Sequence, residues 1–325
     1  MPVEIPKDTW PGTVRQVTLG ATPSEGGTRA RTITVGGQKS MPYLSFEYPA
    51  PHPPVVAAEI KDQRPEDWSK VLLDAWGDAA ADPARWAKAA EETGAEMIVL
   101  ALSPTGKDGQ PITPEGAVSS VKSVLASTGL PLAVFGPGQA ELDNAVLVAV
   151  AEATKGERLV LGIAEDKNYR TIVATAMANG HLVSARSPMD VNLAKQLNIL
   201  ISDMGMPLDR VIMDPTTGAL GYGIEYGFSA MERLRQAALQ GDAMTQLPMI
   251  VTAGYETWKT KEAKVEVGVP SSWGDWVERS INWETLTAMT LIEAGADVVV
   301  LRHAESVRRV KLALADLMAA AYTLA

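Results

Sequence analysis

The stretch LVLGIAEDKNYRTIVATAMANGHLVSA, residues 159–185, holds the pattern that decides the fold. It opens with a short apolar segment, Leu159 to Ala164, continues through a helix-period segment that ends at Gly180, and closes with a second apolar segment, His181 to Ala185. A strand, a helix and another strand in this order form one βαβ unit, in which the two strands run parallel. Gly180 stands where a helix commonly ends, because glycine adopts the left-handed conformation without strain.

The same alternation extends from residue 55 to the C-terminus and predicts eight strands. They are Val55–Ile60, Glu96–Leu102, Leu132–Phe135, Leu159–Ala164, His181–Ala185, Arg210–Met213, Met249–Thr252 and Asp297–Leu301. Eight β-then-α units in series predict an α/β fold, the closed (β/α)8 TIM barrel. An open doubly wound sheet is the other arrangement, but it usually has a glycine-rich phosphate turn after its first strand, and residues 60–65 contain no glycine.

The first 54 residues have a different sequence pattern from the predicted barrel. Apolar residues alternate with polar ones at Val17 and Leu19, and again at Ile33 and Val35, on either side of a turn-rich segment. This pattern predicts an N-terminal β-hairpin extension. The segment that follows, up to Pro54, is rich in proline and forms a stiff connector.

We therefore divide the chain into a hairpin with its connector, residues 1–54, and a TIM barrel, residues 55–325. The barrel carries a long insertion at about 253–282, which holds Trp258, Trp273 and Trp276 and precedes a helix expected to begin near Trp283. Such an insertion is either a binding surface or a small packed excursion with its own core. Because it lies outside the barrel repeat, as the hairpin and connector do, each of these is a candidate docking surface for a partner.

The composition excludes several classes of protein. The 325 residues contain no cysteine, and 29 basic against 39 acidic side chains give a formal net charge of −10. A disulfide, a thiol nucleophile and a Cys-ligated zinc or iron–sulfur centre are thus excluded from this chain. The negative charge argues against nucleic-acid binding. No apolar run reaches the roughly 18 residues of a membrane span, and the first ten residues lack the apolar core of a signal peptide, so we expect a soluble, cytoplasmic protein.

Reactive groups of a TIM barrel lie at the C-terminal ends of its strands, which selects the candidate site residues. They are Asp166, Asn168, Ser187, Asp190, Asn192, Asp214, Thr216, Thr217, Gly218 and Tyr222. The three aspartates could converge for acid–base work or metal binding, but Asp190 and Asp214 could equally cap backbone N–H groups. Lys167 is more typical of an ion-paired lysine than of a Schiff base, and His303 more typical of a hydrogen-bonded structural histidine than of a catalytic one. We therefore predict neither a catalytic residue nor a metal site.

The segment DPTTGALGYGIEY, residues 214–226, is the most informative stretch for function. Its glycines would let the backbone approach a ligand closely, and its threonines offer hydroxyl groups near a helix N-terminus. Together with AEDKN (164–168), SPMDVN (187–192) and WKTKEA (258–263), this loop resembles the small, or delta, subunit of the corrinoid iron–sulfur protein of the carbon monoxide dehydrogenase/acetyl-CoA synthase system. The N-terminal hairpin and the lack of cysteine look like the bacterial, acetogen-type form.

The resemblance implies a heterodimer in which this chain helps a large subunit to enclose a corrinoid (cobalamin), while the iron–sulfur cluster belongs to the large subunit. The cobalt would accept a methyl group from methyltetrahydrofolate through a separate methyltransferase and donate it to acetyl-CoA synthase, in the reductive acetyl-CoA pathway. A reductive activator is a further candidate partner. The chain would be a non-catalytic subunit, and the ten residues named above would face the cofactor. No Asp-x-His-x-x-Gly pattern is present to supply an axial histidine.

A free-standing barrel enzyme is the alternative, either a pterin-dependent methyltransferase or a carboxylate-using lyase. In that enzyme the acidic and amide side chains of the candidate set would bind a pterin or polarise a substrate. They are Asp166, Asn168, Asp190, Asn192 and Asp214.

Overall fold

The computed structural model describes residues 6–106, 109–215, 218 and 220–324. Two short antiparallel strands come first, β1 (Val17–Leu19) and β2 (Ile33–Val35), with Val17 paired to Val35. Eight further strands form a parallel sheet: β3 Val55–Lys61, β4 Met97–Ala101, β5 Leu132–Phe135, β6 Val160–Ala164, β7 Leu182–Arg186, β8 Val211–Asp214, β9 Ile250–Val251 and β10 Val298–Leu301. The predicted hairpin and all eight predicted strands are confirmed.

The eight parallel strands close into a barrel. Their order is β8-β7-β6-β5-β4-β3-β10-β9, and the two edge strands meet through a parallel bridge between Met213 and Met249. The Met213 N–H donates to the Pro248 carbonyl across this seam at 2.9 Å. The TIM barrel predicted from the sequence is thus confirmed.

Helices surround the barrel. They are α1 Lys70–Trp76, α2 Pro83–Glu92, α3 Pro114–Ser127, α4 Ala140–Ala153, α5 Tyr169–Asn179, α6 Val191–Asp203, α7 Glu225–Leu239, α8 Ala253–Thr257, α9 Lys261–Lys264, α10 Trp276–Glu293 and α11 Ala304–Leu324. Of these, α1, α2, α3, α6 and α10 begin at side-chain caps. Short 3-10 turns lie at Pro23–Glu25, Pro42–Leu44, Gly77–Ala81, Leu208–Arg210 and Ser271–Trp273. Asp82 caps α2 and Thr113 caps α3 by accepting a backbone N–H of the first turn, which satisfies a donor that the helix itself leaves free.

The hairpin closes the N-terminal end of the barrel. Val17, Leu19 and Val35 are almost completely buried and belong to one apolar cluster with interior residues of the barrel strands. The barrel residues of this cluster are Val55, Ala57, Met97, Val99, Ala133, Phe135, Val160, Leu182, Ile212, Ile250, Val298 and Val300. One face of the hairpin therefore packs against the barrel core.

A buried arginine anchors the segment between the two hairpin strands. The Arg29 side chain is completely buried, and its Nε pairs with Glu157 Oε2 at 3.2 Å. Its Nη1 donates to the Thr128 carbonyl at 2.6 Å and its Nη2 to the Leu125 carbonyl at 2.7 Å. Burial lowers the pKa of Arg29, although Glu157 opposes the shift, so the hydrogen bonds are what make burial of this charge tolerable.

The insertion after β9 is packed rather than extended. Trp258 is buried and stacks on His303 with ring centroids 6.0 Å apart, and the Trp276 indole donates to the Ala263 carbonyl at 3.0 Å. Helix α10 begins at Trp276, earlier than the start expected near Trp283, because Asp275 caps it by accepting the Glu278 N–H. Of the two interpretations of this insertion, these contacts fit the small packed excursion.

Candidate ligand-binding site at the barrel mouth

A cavity of about 670 Å³ opens beside the C-terminal ends of β6 and β7. Its wall combines a charged and polar rim from the two strand ends with an apolar side supplied by α6. The lining residues are Glu165, Asp166, Lys167, Arg186, Ser187, Pro188, Leu193, Gln196, Leu197 and Leu200. A mostly apolar pocket with a few convergent polar groups is the usual form of a small-molecule site.

An ion pair forms the polar base of this cavity. Arg186 ends β7 and lies opposite Asp214 of β8 in the strand register, and the Arg186 Nε is 2.7 Å from Asp214 Oδ2. Burial opposes the charge, but Asp214 raises the pKa of the Arg186 guanidinium above its ordinary value. Asp214 is completely buried, so Arg186 is the member of the pair that lines the cavity.

The turn after β6 is held by its own asparagine. The Asn168 side chain accepts the Glu165 N–H at 2.8 Å and donates to the Ile163 carbonyl at 3.0 Å. Asn168 is buried, whereas Glu165, Asp166 and Lys167 are exposed. Asn168 therefore shapes the loop, and Asp166 is the candidate residue of this loop that reaches the cavity.

The turn after β7 is fixed by backbone and cap hydrogen bonds. The Ser187 N–H donates to the Asp214 carbonyl at 2.9 Å and the Met189 N–H to the Pro215 carbonyl at 3.0 Å. Asp190 Oδ1 accepts the N–H groups of Asn192 and Leu193 at 2.7 and 3.0 Å, so Asp190 is the N-cap of α6. Ser187 lines the cavity, whereas Asp190 and Asn192 do not.

The loop after β8 lies next to these two turns. Tyr222 is 86% exposed and Tyr226 is 57% exposed. Gly218 is half-buried, while Thr216 and Thr217 lie outside the described residues. Tyr222 lies in this loop and Tyr226 in the first turn of α7, and aromatic residues are enriched at binding interfaces.

The opposite side of the mouth is closed by a second ion pair. The Arg302 Nη2 is 2.5 Å from Glu59 Oε1, and its guanidinium lies over the rings of Trp68 and Tyr255 at 4.7 and 4.9 Å from their centroids. Both charged side chains are buried and are paired with each other. Glu59 and Arg302 therefore link β3 to the end of β10 at this side of the mouth.

His303 follows Arg302 and has a structural environment. Glu284 of α10 accepts the Arg302 N–H at 2.6 Å and the His303 N–H at 3.1 Å, and the His303 Nδ1 accepts the Glu305 N–H at 3.0 Å. Burial lowers the pKa of His303 to about 4, so its imidazole is neutral at pH 7. Glycine is required at residue 254, since a Cβ there would stand 2.6 Å from Glu284 Oε1.

The sequence analysis assigned no role to the charged residues of the strands themselves. Glu59, Lys61 and Arg186 lie at or near strand ends, and burial lowers the pKa of the Lys61 amine although Glu59 and Asp62 oppose the shift. A charged residue inside or at the end of an apolar strand is the signal that would have found all three. Among the described residues, no three His, Asp or Glu side chains come together to hold a metal ion, and no helix there is long and apolar enough to cross a membrane.

The chain is thus a (β/α)8 barrel with a cavity at the carboxyl ends of its strands. Residues 16–323 match the family model of the CO dehydrogenase/acetyl-CoA synthase delta subunit. This chain belongs to that family, which confirms the resemblance seen in the sequence.

Curated relatives support the family assignment, and a solved structure supports the barrel fold. The delta subunits of the acetyl-CoA decarbonylase/synthase complexes of Archaeoglobus fulgidus and Methanopyrus kandleri are each 36% identical to it. The first match covers 94% of this chain and 68% of the relative, and the second covers 93% and 75%. Dihydropteroate synthase from Xanthomonas albilineans superposes with a TM-score of 0.57 at 14% identity, over 82% of this chain and 93% of that one. That similarity supports the barrel fold alone.

Proposed function

We propose that this chain forms one wall of a corrinoid site in a methyl-carrying heterodimer of the acetyl-CoA synthase system. The observation that carries the proposal is the cavity of about 670 Å³ at the mouth of a barrel that belongs to the delta-subunit family. A large subunit would hold the rest of the cofactor and the iron–sulfur cluster, and a methyltransferase and acetyl-CoA synthase would be the successive partners.

The residues of the cavity suit the chemistry of a corrin. A corrin is a wide macrocycle with apolar faces and with amide side chains around its edge. Leu193, Leu197 and Leu200 offer an apolar wall, while Asp166 and Ser187 offer acceptors and a donor to peripheral amides. When bound, the cofactor supplies the cobalt that carries the methyl group.

The protein's own contribution is positioning and exclusion of water. Arg186 and Asp214 neutralise each other, so the polar base of the cavity adds no net charge next to the ligand. Asn168 and Asp190 fix the two turns that carry Asp166 and Ser187, because each holds backbone N–H groups of its own turn. A rigid wall of this kind keeps a bound cofactor in one orientation without itself reacting.

None of the three histidines lines the cavity at the mouth. His303 is neutral and hydrogen-bonded, and His181, at the N-terminal end of the barrel, accepts the Leu159 N–H at 3.1 Å. His52 lies in the connector, also at the N-terminal end. We infer that any protein ligand to the cobalt comes from the partner subunit.

The exposed side chains beside the cavity support docking of the large subunit on this surface. Leu193, Tyr222, Tyr226 and Tyr255 are all more than a third exposed and lie on the loops and helices that follow β7, β8 and β9. Docking there would bury apolar area and cover the cavity at the same time.

The experiment is gel filtration of this chain with the large subunit, following protein and corrin absorbance together. The test variant is Gln196→Trp, which places a bulky ring in the cavity from an exposed position of α6. The control is Gln240→Trp, an exposed glutamine at the other end of the barrel. We expect the unmodified pair and the control to elute as a coloured heterodimer, and Gln196→Trp to lose at least about tenfold of the corrin per protein.

Full corrin content in the Gln196→Trp complex would place the cofactor elsewhere and overturn the proposal. Tight binding of methyltetrahydrofolate by the isolated chain, measured by isothermal titration, would instead support the pterin-dependent methyltransferase.

A further inference from the structure

A second cavity lies at the opposite end of the barrel, between the proline-rich connector and the bases of α10 and α11. We name it the base cavity; its volume is about 260 Å³. Its walls are mostly apolar, with contributions from Pro42, Ala50, Ile292, Ala296 and Leu317. Nothing in the proposed corrinoid function uses this end of the molecule.

An ion pair at the wall of the base cavity has donors left over. Arg235 is 2% exposed, and its Nη2 donates to Asp297 Oδ2 at 2.8 Å and to the Gly295 carbonyl. Its Nε and Nη1 are buried and have no hydrogen-bond partner among the described residues. A buried guanidinium N–H without an acceptor costs free energy, so an acceptor supplied by a ligand would be stabilising.

A buried acceptor without a donor lies beside the same carboxylate. Gln38 Nε2 donates to Asp297 Oδ1 at 2.7 Å, which fixes the orientation of the amide because its oxygen would repel the carboxylate. The Gln38 Oε1 is then left buried without a partner within the described part of the chain. Gln38 and Arg235 each bind one carboxylate oxygen of Asp297. The free acceptor of Gln38 and the free donors of Arg235 therefore flank the same carboxylate.

The charges around the cavity favour a neutral ligand. Asp297 already neutralises Arg235, and the wall holds a second carboxyl group, Glu293, whose pKa is raised by burial. An anionic ligand would meet two carboxyl groups against one guanidinium, and a cation would meet the guanidinium. A neutral group that accepts from Arg235 and donates to Gln38 suffers neither repulsion.

We propose that the base cavity binds a small neutral ring compound that carries an amide or lactam group. The lactam carbonyl accepts from Arg235, its N–H donates to Gln38 Oε1, and the ring fills the apolar part between the connector and α10. The volume is larger than the roughly 150 Å³ that accommodates a benzene molecule in an engineered cavity, so one or two fused rings fit.

The test uses the full chain and three probes of similar size: 2-quinolone, which is a bicyclic lactam, quinoline, which lacks the lactam, and benzoate, which is an anion. Binding is measured by isothermal titration and saturation-transfer NMR. Two variants fill the cavity from different positions, Ala50→Phe and Ser45→Phe, and Ala145→Phe on the exposed side of α4 is the matched control. Two positions are used so that one misfolded variant does not decide the result.

We expect saturable binding of 2-quinolone that is at least about tenfold tighter than that of quinoline, from two added hydrogen bonds. A correctly folded cavity variant should abolish that binding, and Ala145→Phe should retain it. Absence of saturable 2-quinolone binding, preference for benzoate, or binding unchanged in the cavity variants would each overturn the proposal. The corrin content of the heterodimer does not enter this test, so the two proposals fail separately.

Discussion

The two ends of the barrel place an ion-paired arginine in different environments. At the N-terminal end, Arg29 is enclosed by the hairpin and bonded to a carboxylate and to backbone carbonyls. At the C-terminal mouth, Arg186 is bonded to Asp214 but still reaches a large cavity beside exposed tyrosines. The first arrangement stabilises the fold, and the second leaves a charged pair accessible from the cavity at the mouth. This division is the one TIM barrels generally follow.

The largest expected effect is at the closed end. Arg29→Met leaves Glu157 and several carbonyl groups without their partner in a buried place, and breaking a buried pair in this way costs about 3–5 kcal/mol of unfolding free energy. Urea denaturation followed by circular dichroism measures it. Arg31→Met, an exposed arginine of the same segment, is the control and should change stability by less than about 0.5 kcal/mol. Equal losses in the two variants would show that Arg29 does not anchor the hairpin.

A pH effect comes next and belongs to the mouth. The pKa of folded His303 is about 4, below the ordinary value of 6.5, so the folded state binds fewer protons than the unfolded state. Its contribution is therefore full above pH 6.5 and is lost as the pH falls towards 4. Between about pH 7.5 and 4.5 we expect the chain to lose about 2.5 kcal/mol more than His303→Gln does. Denaturation of both proteins across that range measures the difference, and parallel curves would contradict the buried, neutral histidine.

The Arg186–Asp214 ion pair at the mouth should contribute less to stability than the Arg29–Glu157 pair at the N-terminal end. Asp214→Asn removes the charge that faces Arg186, whose side chain is 19% exposed and can take up water, so we expect a loss of about 1–3 kcal/mol. If the cavity binds the corrinoid as proposed, the same variant should lower corrin retention in the heterodimer, because Arg186 is no longer held in place. Asp203→Asn, an exposed aspartate at the end of α6, should do neither. A loss of stability as large as that of Arg29→Met would remove the contrast between the two ends.

The fold was predictable because its signals are local. Each barrel strand is a short apolar run, and the hairpin is an alternation around a turn, so both follow from neighbouring residues. The start of α10 was missed because Asp275 caps it inside a stretch whose tryptophans indicated an insertion. The cap role of Asp190 was one of two open interpretations, and the structure supports it.

The site depends on contacts that sequence spacing does not contain. Arg186 and Asp214 are paired only because β7 and β8 are neighbours in one particular register. The role of Arg302 likewise requires β10 to lie beside β3, at the two ends of the barrel sequence. The position of a residue after a strand therefore predicts that it lies at the mouth. It does not predict whether the residue lines the cavity or holds a loop.

The smallest effect on stability should accompany a large effect on function. Tyr222 is 86% exposed, so Tyr222→Ala removes almost no packing and should change the free energy of unfolding by less than about 0.5 kcal/mol. If this loop covers the corrinoid together with the large subunit, the same change removes a large contact area and should reduce corrin retention at least about fivefold. Tyr48→Ala is the control, since Tyr48 is also exposed, at 42%, but lies in the connector at the closed end, where Lys39 packs on its ring. Corrin content per heterodimer and urea midpoints, measured on the same samples, separate the two quantities. Equal corrin content in both variants would mean that the exposed tyrosine of the mouth is no more functional than the one at the closed end.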